Sequence, residues 1–550
     1  MIKTNFIKMY ESSFKENWDL MALTDLNETT SYTYGEVAKE IARLHILFDQ
    51  MGIEKGDKIA LIGHNHSSWI IVFMATISYG AVIVPILRDY HPSSMENIIL
   101  HSDAKISFID EGIWRHINGE KISHPVFMLP SIEKTHRETD VDENLHTRID
   151  NEFSFKYPNG FTADDVHYTH VSNESVVCIN YISGTTNFTR GVMLTGNNYA
   201  GNMIAVQKLD LIYKGEKIVA FLPLAHAFSC ALDFLYSLSV GVHIHLLSKI
   251  RNTQMLFDAF HKVKPNLIST VPLILEKIYE RVKIQVINKP SIRLLLKVPI
   301  LNQIVYSKIR KSLRDAFGGN FRQVLVGGAS FSEEAEVFLH KIKFPFSIGY
   351  GMTECAPFIS YLSHKEFVPL SCGQTPKEHM QARIDSEDPH NIPGEIQVKG
   401  EHVMKGFYKN PEATAAVFTE DGWLKTGDLG VMDKEDRLYI KGLIKTMILG
   451  SNGQNIYPKA IEEHLNRMPF VSESLVIGKN NRLTALVYPD FKAMGEQNVS
   501  MIDLEKIMID NQYELNKKLA KYEKVGNIKI MEEEFEKTED NKIKRELYVE

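Results

Sequence analysis

The apolar residues of the N-terminal half fall into short runs bounded by glycine, and one arrangement of these runs occurs twice. Residues 56–62 form an apolar, strand-like run that is followed by a helix-like run and then by residues 80–84. Residues 215–221 are followed in the same way by residues 241–245. Short runs that are apolar throughout are typical of parallel strands covered on both faces. The pattern therefore predicts two β-α-β units and two parallel-sheet α/β subdomains in one large N-terminal domain.

One uncharged stretch, residues 69–87, is long enough to cross a bilayer. Gly80 and Pro85 interrupt it, and residues 81–84 have the composition of a buried strand. Because length alone discriminates poorly between a membrane span and a buried segment, we predict a core helix followed by a parallel strand. The first fourteen residues alternate polar and apolar side chains and lack the apolar core of a signal peptide.

The pattern changes in the C-terminal part of the chain. Between about residues 372 and 440, short strand-like runs alternate with turn signals such as Pro393-Gly394, which predicts a small β-barrel-like module. Residues 445–550 combine helix-like and strand-like runs and end in a charged tail, which predicts a compact α+β domain. We therefore expect an N-terminal domain of residues 1–444, including the β-rich module, and a C-terminal domain of residues 445–550.

Composition narrows the class of protein. A chain of 550 residues exceeds what one hydrophobic core normally supports, and 44% hydrophobic with 24% charged residues is an ordinary globular balance. A net charge of −7 argues against a general nucleic-acid-binding protein. The four cysteines lack CxxC spacing, so the sequence predicts neither a disulfide framework nor a zinc site. These features fit a reducing compartment, and we expect a cytoplasmic protein.

The first segment whose residues could bind a ligand follows an apolar strand at 175–180. It reads Tyr181-Ile-Ser-Gly-Thr-Thr-Asn-Phe-Thr-Arg-Gly191. Its small residues let the backbone approach an anion, its hydroxyls can donate hydrogen bonds, and Arg190 can neutralise charge. The loop is not a Walker loop, which requires GxxxxGK[ST]. Alone it would be read as an ordinary turn, so its interpretation depends on the segments that follow.

Further motifs follow in a fixed order: Leu222-Pro-Leu-Ala-His226, Gly327-Gly-Ala329, Gly349-Tyr-Gly-Met-Thr-Glu354, Gly422-Trp-Leu-Lys-Thr-Gly-Asp428, Gly453-Gln-Asn-Ile-Tyr-Pro458, and Lys537-Thr538 with Lys542. In this order they resemble the adenylate-forming superfamily, which includes acyl-CoA synthetases, peptide-synthetase adenylation domains and luciferases. Residues 183–191 resemble that family's phosphate loop, usually written SGTTGxPKG. Each motif is weak alone, but the ordered set is specific and spans nearly the whole chain.

The resemblance implies a binding site for ATP and AMP. Within it, Tyr350 would stack on the purine, Asp428 would accept hydrogen bonds from both ribose hydroxyls, and Tyr439 would lie beside the same pocket. The full set that the resemblance implies is Ser183, Gly184, Thr185, Thr186, Arg190, Gly327, Gly328, Ala329, Gly349, Tyr350, Gly351, Met352, Thr353, Asp428 and Tyr439.

The resemblance also assigns catalytic roles to Thr186, His226, Glu354 and Lys542. Glu354 would bind Mg²⁺, for which a hard carboxylate oxygen is suited. Lys542 would contact the acid and the α-phosphate, and Thr186 would donate its hydroxyl to the phosphates. His226 would position or gate the acyl group, although a core histidine is the alternative. This agrees with simple chemistry: a carboxylic acid, with a pKa of about 4.3, is already an anion at neutral pH. Its attack on ATP needs charge neutralisation and no general base.

A second half-reaction is implied by the same resemblance. Lys445 falls at the family's hinge, about which the small C-terminal domain is mobile and rotates between half-reactions. After rotation, a loop containing Gly450, Ser451, Asn452 and Gly453 would line the tunnel for the thiol acceptor. The thiol of coenzyme A would then attack the acyl-adenylate, and AMP would leave.

Five residues depart from the family pattern. In the phosphate loop, Asn187 replaces the usual Gly, Thr189 replaces Pro, and Arg190 replaces Lys with its charge but not its geometry. Leu443 stands where the family usually has the Arg of GRxK, which helps to hold the ribose. Asn541 replaces the Gly that normally precedes the terminal lysine.

The sequence defines the substrate acid and the thiol acceptor less closely than it defines the nucleotide site. Residues 445–458 resemble bacterial long-chain fatty acyl-CoA synthetases most, so we expect an acid-thiol ligase that uses ATP, Mg²⁺, a medium- or long-chain fatty acid and coenzyme A. Residues 277–314 contain ten basic residues and one acidic residue among apolar ones. They form either a face that contacts anionic lipid at the inner membrane or a solvated face with a buried stripe. The alternatives for function are a ligase that loads the phosphopantetheine of a carrier protein, and a degenerate synthetase without turnover.

Overall fold

The strands of the computed structural model follow the glycine-bounded apolar runs. The model describes residues 2–28, 30–132, 145–182, 190–250, 252–328, 331–449, 455–479, 482–519, 523–538 and 543–548. In chain order the strands are β1 (Met21–Asp25), β2 (Ser31–Thr33), β3 (Lys58–Ile62), β4 (Val82–Ile86), β5 (Ala104–Asp110), β6 (Val126–Leu129), β7 (Val176–Ile182), β8 (Arg190–Thr195), β9 (Lys217–Ala220), β10 (His243–Leu246), β11 (Leu267–Thr270), β12 (Gln323–Val326), β13 (Phe346–Gly351), β14 (Phe358–Leu362), β15 (Met380–Asp385), β16 (Gly394–Gly400), β17 (Gly406–Phe407), β18 (Leu424–Met432), β19 (Leu438–Leu443), β20 (Ile448–Leu449), β21 (Asn455–Ile456), β22 (Val471–Lys479), β23 (Arg482–Pro489) and β24 (Val525–Ile530).

The helices alternate with these strands in the first three hundred residues and cluster near the chain's end. In chain order they are α1 (Phe6–Glu16), α2 (Tyr34–Gln50), α3 (Ser67–Tyr79), α4 (Pro92–His101), α5 (Glu111–Trp114), α6 (Leu145–Lys156), α7 (Gly196–Gln207), α8 (Ala227–Ser229), α9 (Ser237–Ser239), α10 (Thr253–Val263), α11 (Pro272–Val282), α12 (Pro290–Leu296), α13 (Pro299–Ala316), α14 (Glu333–Lys341), α15 (Pro411–Val417), α16 (Pro458–Leu465), α17 (Phe491–Gln497) and α18 (Met501–Lys518).

Contacts divide the chain into two compact units. The first comprises Met1–Gln381 and Val398–Leu424, and the second comprises Ala382–Gln397 and Lys425–Glu550. The second unit therefore includes β18 and β19 of the β-rich region together with the C-terminal residues. The functional division into residues 1–444 and 445–550 stays a prediction.

The first unit contains a seven-stranded sheet of order β17-β8-β7-β4-β3-β5-β6 and two four-stranded sheets of orders β2-β1-β10-β9 and β11-β12-β13-β14. Strands β7, β4, β3, β5 and β6 run parallel, and β8 is antiparallel to β7. In the smaller sheets only the edge strands β2 and β14 are antiparallel to their neighbours. The two smaller sheets adjoin, since the amide of Asn266 donates to the carbonyl of Lys217 at 2.8 Å. The predicted α/β class with two parallel-sheet subdomains is confirmed.

The predicted repeat has the same backbone hydrogen bonds in both copies. Strands β3 and β4 are parallel, as are β9 and β10. The amide of Gly56 donates to the carbonyl of Gly80 at 2.9 Å, and that of Gly215 donates to Gly241 at 2.8 Å. All four glycines have positive φ, between 77° and 98°, a conformation that side chains with a Cβ rarely adopt. The glycines that bound the apolar runs therefore start each strand of the two β-α-β units.

The uncharged stretch that begins at Trp69 is part of the core. Helix α3 is buried along nearly its whole length and leads into β4, in which Pro85 pairs with Leu61 of β3. The ring of Phe73 meets that of Phe234, from the second repeat, edge to face at 4.9 Å between centroids. The prediction of a core helix followed by a parallel strand is confirmed. Among the residues that the model describes, no helix is both long and apolar enough to span a membrane.

The C-terminal residues form a sheet with helices packed on it. Its order is β22-β23-β24, and a buried cluster of aliphatic side chains from the sheet, α16 and α18 forms its core. Helix α18 ends at Lys518, because Leu519 takes extended dihedral angles, φ −94° and ψ 147°. The charged tail is anchored at Phe535, which is 3% exposed and packs against Tyr548. The β-rich region appears as a four-stranded sheet of order β15-β16-β18-β19.

Candidate active site

The predicted phosphate loop connects β7 to β8. These strands pair antiparallel up to Ile182 and Arg190. Ser183, Gly184, Thr185 and Thr186 lie in residues 183–189, outside the described residues, so their roles stay predictions. The guanidinium carbon of Arg190 lies 5.4 Å from the ring centroid of Phe407 on the adjacent strand β17. This places a cation at the base of the loop.

Gly191 closes this hairpin tightly. A Cβ at this residue would lie 2.8 Å from Cγ2 of Ile179 and 3.1 Å from Cζ of Tyr181, both on β7. The glycine at the end of the phosphate-loop motif is therefore required for packing, because any side chain would push β8 away from β7.

The predicted segment from Leu222 to His226 is held by a buried asparagine that the sequence analysis did not single out. Asn65, 1% exposed, follows β3. Its Nδ2 donates to the carbonyls of Ala220 at 3.1 Å and Leu222 at 2.8 Å. Its Oδ1 accepts from the amide of Leu224 at 3.3 Å. One side chain thus pairs three backbone groups of this segment.

His226 itself lies at the surface, at the start of α8. Its Nδ1 accepts from the amide of Phe228 at 3.4 Å, which caps the helix. The preceding residue, Ala225, is tied to β7 because Nδ2 of the buried Asn180 donates to its carbonyl at 3.3 Å. The strand that enters the phosphate loop and the His226 segment are therefore directly linked. The alternative that His226 is a buried core histidine is not what the structure shows, since its side chain is exposed.

A π-helical segment, Cys230–Tyr236, follows His226 and carries a buried acid. The hydroxyl of Ser229 donates to Oδ2 of Asp233 at 2.7 Å. Burial raises the pKa of the Asp233 carboxyl to about 7. Segments of π-helix are frequent at functional sites, and this one places a titratable group directly beneath the segment that carries His226.

Gly327, at the end of β12, allows three segments to converge. A Cβ there would lie 2.8 Å from Cε2 of Phe228 and 3.3 Å from the carbonyl oxygen of Gly349 on β13. Gly328 follows with φ 85°, in the left-handed region that favours glycine. Ala329 lies outside the described residues. The structure thus brings together the His226 segment and the Gly327 and Gly349 motifs at the carboxyl ends of parallel strands, where α/β sheets bind ligands.

The motif from Gly349 to Glu354 completes this cluster. Gly351 ends β13, and a Cβ on it would lie 2.0 Å from the carbonyl oxygen of Pro357, which excludes any side chain. Met352 donates its amide to the same carbonyl at 2.9 Å. Tyr350 is 8% exposed, and Thr353 begins the short 3-10 helix Thr353–Cys355. Gly351 is therefore explained by a tight backbone crossing.

The turn that carries Glu354 is anchored on both sides. The carbonyl of Glu354 accepts from the amide of Met404 at 2.8 Å. Asn202 of α7, fully buried, donates to the carbonyl of Cys355 and accepts from the amide of Phe358, both at 3.0 Å. Burial, reinforced by the charge of Glu354, raises the pKa of the Cys355 thiol, so this thiol stays protonated at neutral pH. The anchors fix the backbone of Glu354, whose side chain is partly exposed.

The carboxylate of Glu354 fits Mg²⁺ better than a metal ion whose ligands all come from the protein. Among the described residues there is no cluster of three or more His, Cys, Asp or Glu side chains able to hold a metal ion. Mg²⁺ keeps most of its water and is usually bound through one or two carboxylates and the phosphates of its substrate. The partly exposed Glu354 suits that mode of binding.

Asp428 lies in the second unit on β18, and residues 426–428 of this strand each make a hydrogen bond. The hydroxyl of Thr426 donates to the carbonyl of Ile396 at 2.7 Å and accepts from the amide of Asp428 at 3.1 Å. The amide of Gly427, with φ 75°, donates to Oε1 of Glu395 at 3.1 Å. Burial raises the pKa of the Glu395 carboxyl, and the charge of Asp428 acts in the same direction. The Thr-Gly-Asp order thus positions the Asp428 backbone.

Leu443, which stands where the family usually has an arginine, lies opposite Asp428 on the neighbouring strand. The two residues are partners in the antiparallel register of β18 and β19, and Leu443 is 40% exposed. Tyr439 pairs with Val431, beyond an irregularity in the register between Leu429 and Gly430. Its hydroxyl donates to Oδ2 of Asp433 at 2.9 Å. The structure places Leu443 opposite Asp428, and the role of Tyr439 beside the nucleotide stays a prediction.

The remaining predicted residues follow in the second unit. Lys445 lies in the 3-10 turn Ile444–Thr446, immediately after β19. Gly450, Ser451, Asn452 and Gly453 lie outside the described residues, in the connection between β20 and β21, which pair antiparallel. Their roles stay predictions.

Lys542 also lies outside the described residues, but both flanks of its segment are well anchored. Lys537 and Ile543 form an antiparallel bridge, and the amide of Lys544 donates to the carbonyl of Glu536 at 2.8 Å. The guanidinium of Arg545 pairs with Glu462 at 2.7 Å. The described residues on either side of Lys542 are thus held to each other and to the C-terminal unit.

Comparison with known proteins identifies the family. The model of the family described as AMP-binding enzyme matches residues 10–408, more than half of the chain. The chain belongs to the AMP-binding enzyme family. A relative, the long-chain-fatty-acid–CoA ligase FadD15 of Mycobacterium bovis, is 25% identical over 475 residues, which cover 82% of this chain and 75% of the relative.

Solved structures show the same fold as this AMP-binding chain. ATP-bound MatB from Rhodopseudomonas palustris is 20% identical with a TM-score of 0.76, over 99% of this chain and 98% of that one. O-succinylbenzoate coenzyme A synthetase (MenE) from Bacillus subtilis, in complex with ATP and magnesium ion, is 19% identical with a TM-score of 0.73, over 98% of both chains. At these identities the likeness concerns the fold.

Two residues of the AMP-binding unit escaped the sequence analysis. Asn65 and Asn202 are buried amides that each bond backbone groups more than 150 residues away in the chain. A signal for Asn65 was present, because it directly follows the apolar run 56–62, at the end of a parallel strand where polar residues are often functional. Asn202 carried no comparable signal.

Proposed function

We propose that this protein activates a fatty acid with ATP to the acyl-adenylate, releases pyrophosphate, and then forms the thioester with coenzyme A. Membership of the AMP-binding family supports the coarser statement, that the chain is an adenylate-forming acid-thiol ligase. The observation that carries the proposal is the convergence of the His226 segment, Gly327 and the Gly349–Glu354 motif at the carboxyl ends of strands from the two adjoining four-stranded sheets.

The proposed first step depends on charge neutralisation. The carboxylate of the acid attacks the α-phosphorus of ATP, the bond to the bridging oxygen of pyrophosphate breaks, and pyrophosphate carries away the electron pair. Glu354 would hold Mg²⁺, which supplies positive charge to the phosphates. Arg190 and Lys542 would add fixed cations, and Asp428 would orient the ribose. Gly328, beside which a Cβ would meet nothing nearer than Val271 at 3.9 Å, leaves the backbone open to close approach by the nucleotide.

The proposed second step needs an acceptor thiol. The thiol attacks the acyl carbon of the adenylate, AMP leaves with the electron pair of the broken acyl–oxygen bond, and the thiol proton passes to solvent. The segments that we assign to this step are the turn at Lys445 and the connection containing residues 450–453. Coenzyme A is the expected acceptor because the curated relative is a CoA ligase.

The proposed acid is a medium- or long-chain fatty acid. The relative FadD15 is named for long-chain fatty acids, and residues 445–458 resemble that group most. MenE, which shares the fold, is named for O-succinylbenzoate, so the fold alone does not define the acid.

The test is pyrophosphate release by purified protein with ATP and Mg²⁺, against a series of fatty and aromatic acids, with and without coenzyme A. We expect CoA-dependent turnover with an optimum among fatty acids, and its loss in Lys542→Ala and Glu354→Gln. Glu378→Gln is the matched control, because this exposed glutamate forms a surface ion pair with Lys208. Release without turnover on CoA addition would favour a carrier-protein ligase. No release with any acid would favour a degenerate synthetase.

A further inference from the structure

Helices α12 and α13 expose several aliphatic side chains. Leu294 is 68% exposed and Ile304 51%, values typical of charged residues rather than of aliphatic ones. Val298 and Leu301 lie between them in the chain and are also exposed. Exposed apolar residues that occur singly need no explanation, but a cluster marks an interaction surface.

The spacing along α13 places aliphatic and cationic residues on one face. Leu301, Ile304, Lys308 and Lys311 are separated by three, four and three residues, so they form a single stripe along the helix. All four are exposed. A different face of α13 carries Val305, Ile309 and Leu313, which are buried in the core of the first unit. The helix is therefore anchored on one face and presents an aliphatic-to-cationic stripe on another.

The charge of this region is opposite to that of the protein. Residues 281–314 contain nine Lys and Arg and no Asp or Glu, whereas the whole chain has a net charge of −7. Some of these cations serve the fold: Lys283 pairs with Glu334 at 3.0 Å, and Arg314 donates to the carbonyl of Phe321 at 3.0 Å. Lys289, Lys297, Lys308 and Lys311 are instead exposed beside the aliphatic residues.

We propose that this surface docks peripherally on an anionic lipid membrane. The surface, called here the α12–α13 face, consists of Leu294, Lys297, Val298, Leu301, Ile304 and Lys308. A bilayer matches it in two ways. Aliphatic side chains enter the boundary between head groups and acyl chains without needing a shaped pocket, and lysines interact with anionic head groups. A nucleic acid would use the lysines but leave the aliphatic side chains in water.

The inference is independent of catalysis. It extends the proposed function in one respect, because a medium- or long-chain fatty acid partitions into the bilayer that the face would contact. Binding to vesicles can be measured without ATP, acid or coenzyme A. Its failure would therefore leave the proposed ligase activity untouched, and a failed activity assay would leave the docking proposal untouched.

The test is co-sedimentation of the full-length protein with vesicles. We expect binding to vesicles of equal parts phosphatidylglycerol and phosphatidylcholine, weaker binding at high salt, and little binding to phosphatidylcholine alone. The double substitutions Leu294→Glu with Leu301→Glu, and Lys297→Glu with Lys308→Glu, should each weaken binding by roughly tenfold or more. Because these side chains are exposed, the variants should keep the thermal unfolding transition of the parent protein.

Helix α18 provides a matched control. Its Ile502 and Ile509 are 68% and 66% exposed, as much as Leu294, but their helix also carries Asp503, Glu505 and Asp510. Ile502→Glu with Ile509→Glu should leave vesicle binding unchanged. The proposal is overturned if the parent protein does not bind anionic vesicles, or if this control weakens binding equally. It is also overturned if the parent protein is a dimer that Leu294→Glu with Leu301→Glu makes monomeric, since a second copy would then cover the face.

Discussion

Replacing Asn65 by aspartate should release the segment that carries His226 while conserving the shape of the side chain. Aspartate keeps the acceptor for the amide of Leu224 but loses the two donors to the carbonyls of Ala220 and Leu222. Both carbonyls keep a second donor, since that of Ala220 accepts from the amide of Leu247 at 3.1 Å and that of Leu222 from the hydroxyl of Ser229 at 3.3 Å. The loss is therefore two hydrogen bonds of about 0.5–1.5 kcal/mol each, roughly 1–3 kcal/mol together. The new carboxylate, facing two carbonyl oxygens, adds to that cost. Asn65→Ala loses all three bonds without the charge.

The assay is amide hydrogen exchange of the segment 220–226, read by mass spectrometry, together with the kinetics of acyl-adenylate formation. If the free energy of local opening falls by about 2 kcal/mol, exchange becomes roughly 30-fold faster, because each 1.4 kcal/mol corresponds to a factor of about ten. We expect that increase in both variants, larger in Asn65→Asp, and a lower rate of adenylate formation. Local exchange is the appropriate measure because a chain of two compact units need not unfold in one transition.

Asn410→Asp is the matched control. Asn410 caps α15 by accepting from the amide of Ala413 at 2.9 Å, a role that aspartate fills equally well. This substitution should change neither exchange nor kinetics. Unchanged exchange of residues 220–226 in both Asn65 variants would refute the reasoning, because it would mean that these hydrogen bonds do not hold the segment.

Three further predictions concern the rest of the candidate site. Gly351→Ala should destabilise the first unit by roughly 1–3 kcal/mol in thermal unfolding, because its Cβ would lie 2.0 Å from a backbone carbonyl. Gly349→Ala is the control and should be tolerated, because its Cβ would lie 3.9 Å from the nearest backbone carbonyl. Leu443→Arg, which places a guanidinium across from Asp428, should lower the KM for ATP roughly tenfold if the site binds ribose there. Folding raises the pKa of Asp233 from 3.8 to about 7, so between these pH values the folded state binds an extra proton. The free energy of unfolding should therefore fall as pH rises through that window. Asp233→Asn should remove this dependence on pH in urea unfolding.

Each of these predictions has an outcome that contradicts it. Equal unfolding temperatures for the alanine variants at 349 and 351 would show that the backbone crossing relaxes without cost. An unchanged KM in Leu443→Arg, with Leu443→Met as control, would separate position 443 from nucleotide binding. A pH slope that persists in Asp233→Asn would assign the slope to another carboxyl, for which the buried Glu336, with its pKa raised to about 7, is the first candidate.

Much of the fold could be predicted because it is encoded locally. The runs bounded by Gly56, Gly80, Gly215 and Gly241 became the two parallel β-α-β units, since glycine readily takes the positive φ that starts these strands. The uncharged stretch from Trp69 was correctly assigned to the core, because glycine and proline divide it into lengths suited to a helix and a strand. The ordered motifs indicated the family before any geometry was known.

The arrangement of the site was decided by contacts that sequence patterns do not contain. Nothing near Asn65 or Asn202 in the chain indicates that they bond backbone groups more than 150 residues away. Leu443 lies opposite Asp428 because of the register of β18 and β19. Tertiary structure also grouped the strands around Asp428 with the C-terminal residues.

There is a physical reason why the helices and strands could be predicted from the sequence and the contacts of the site could not. Glycine positions, apolar periodicity and motif order reflect the dihedral preferences and burial of residues close together in the chain, so the sequence alone determined the elements and their chemistry. Which side chains share a cluster depends on strand register and on buried hydrogen bonds between distant segments. Those depend on the free energy of the whole packed structure, and only the tertiary structure decided them.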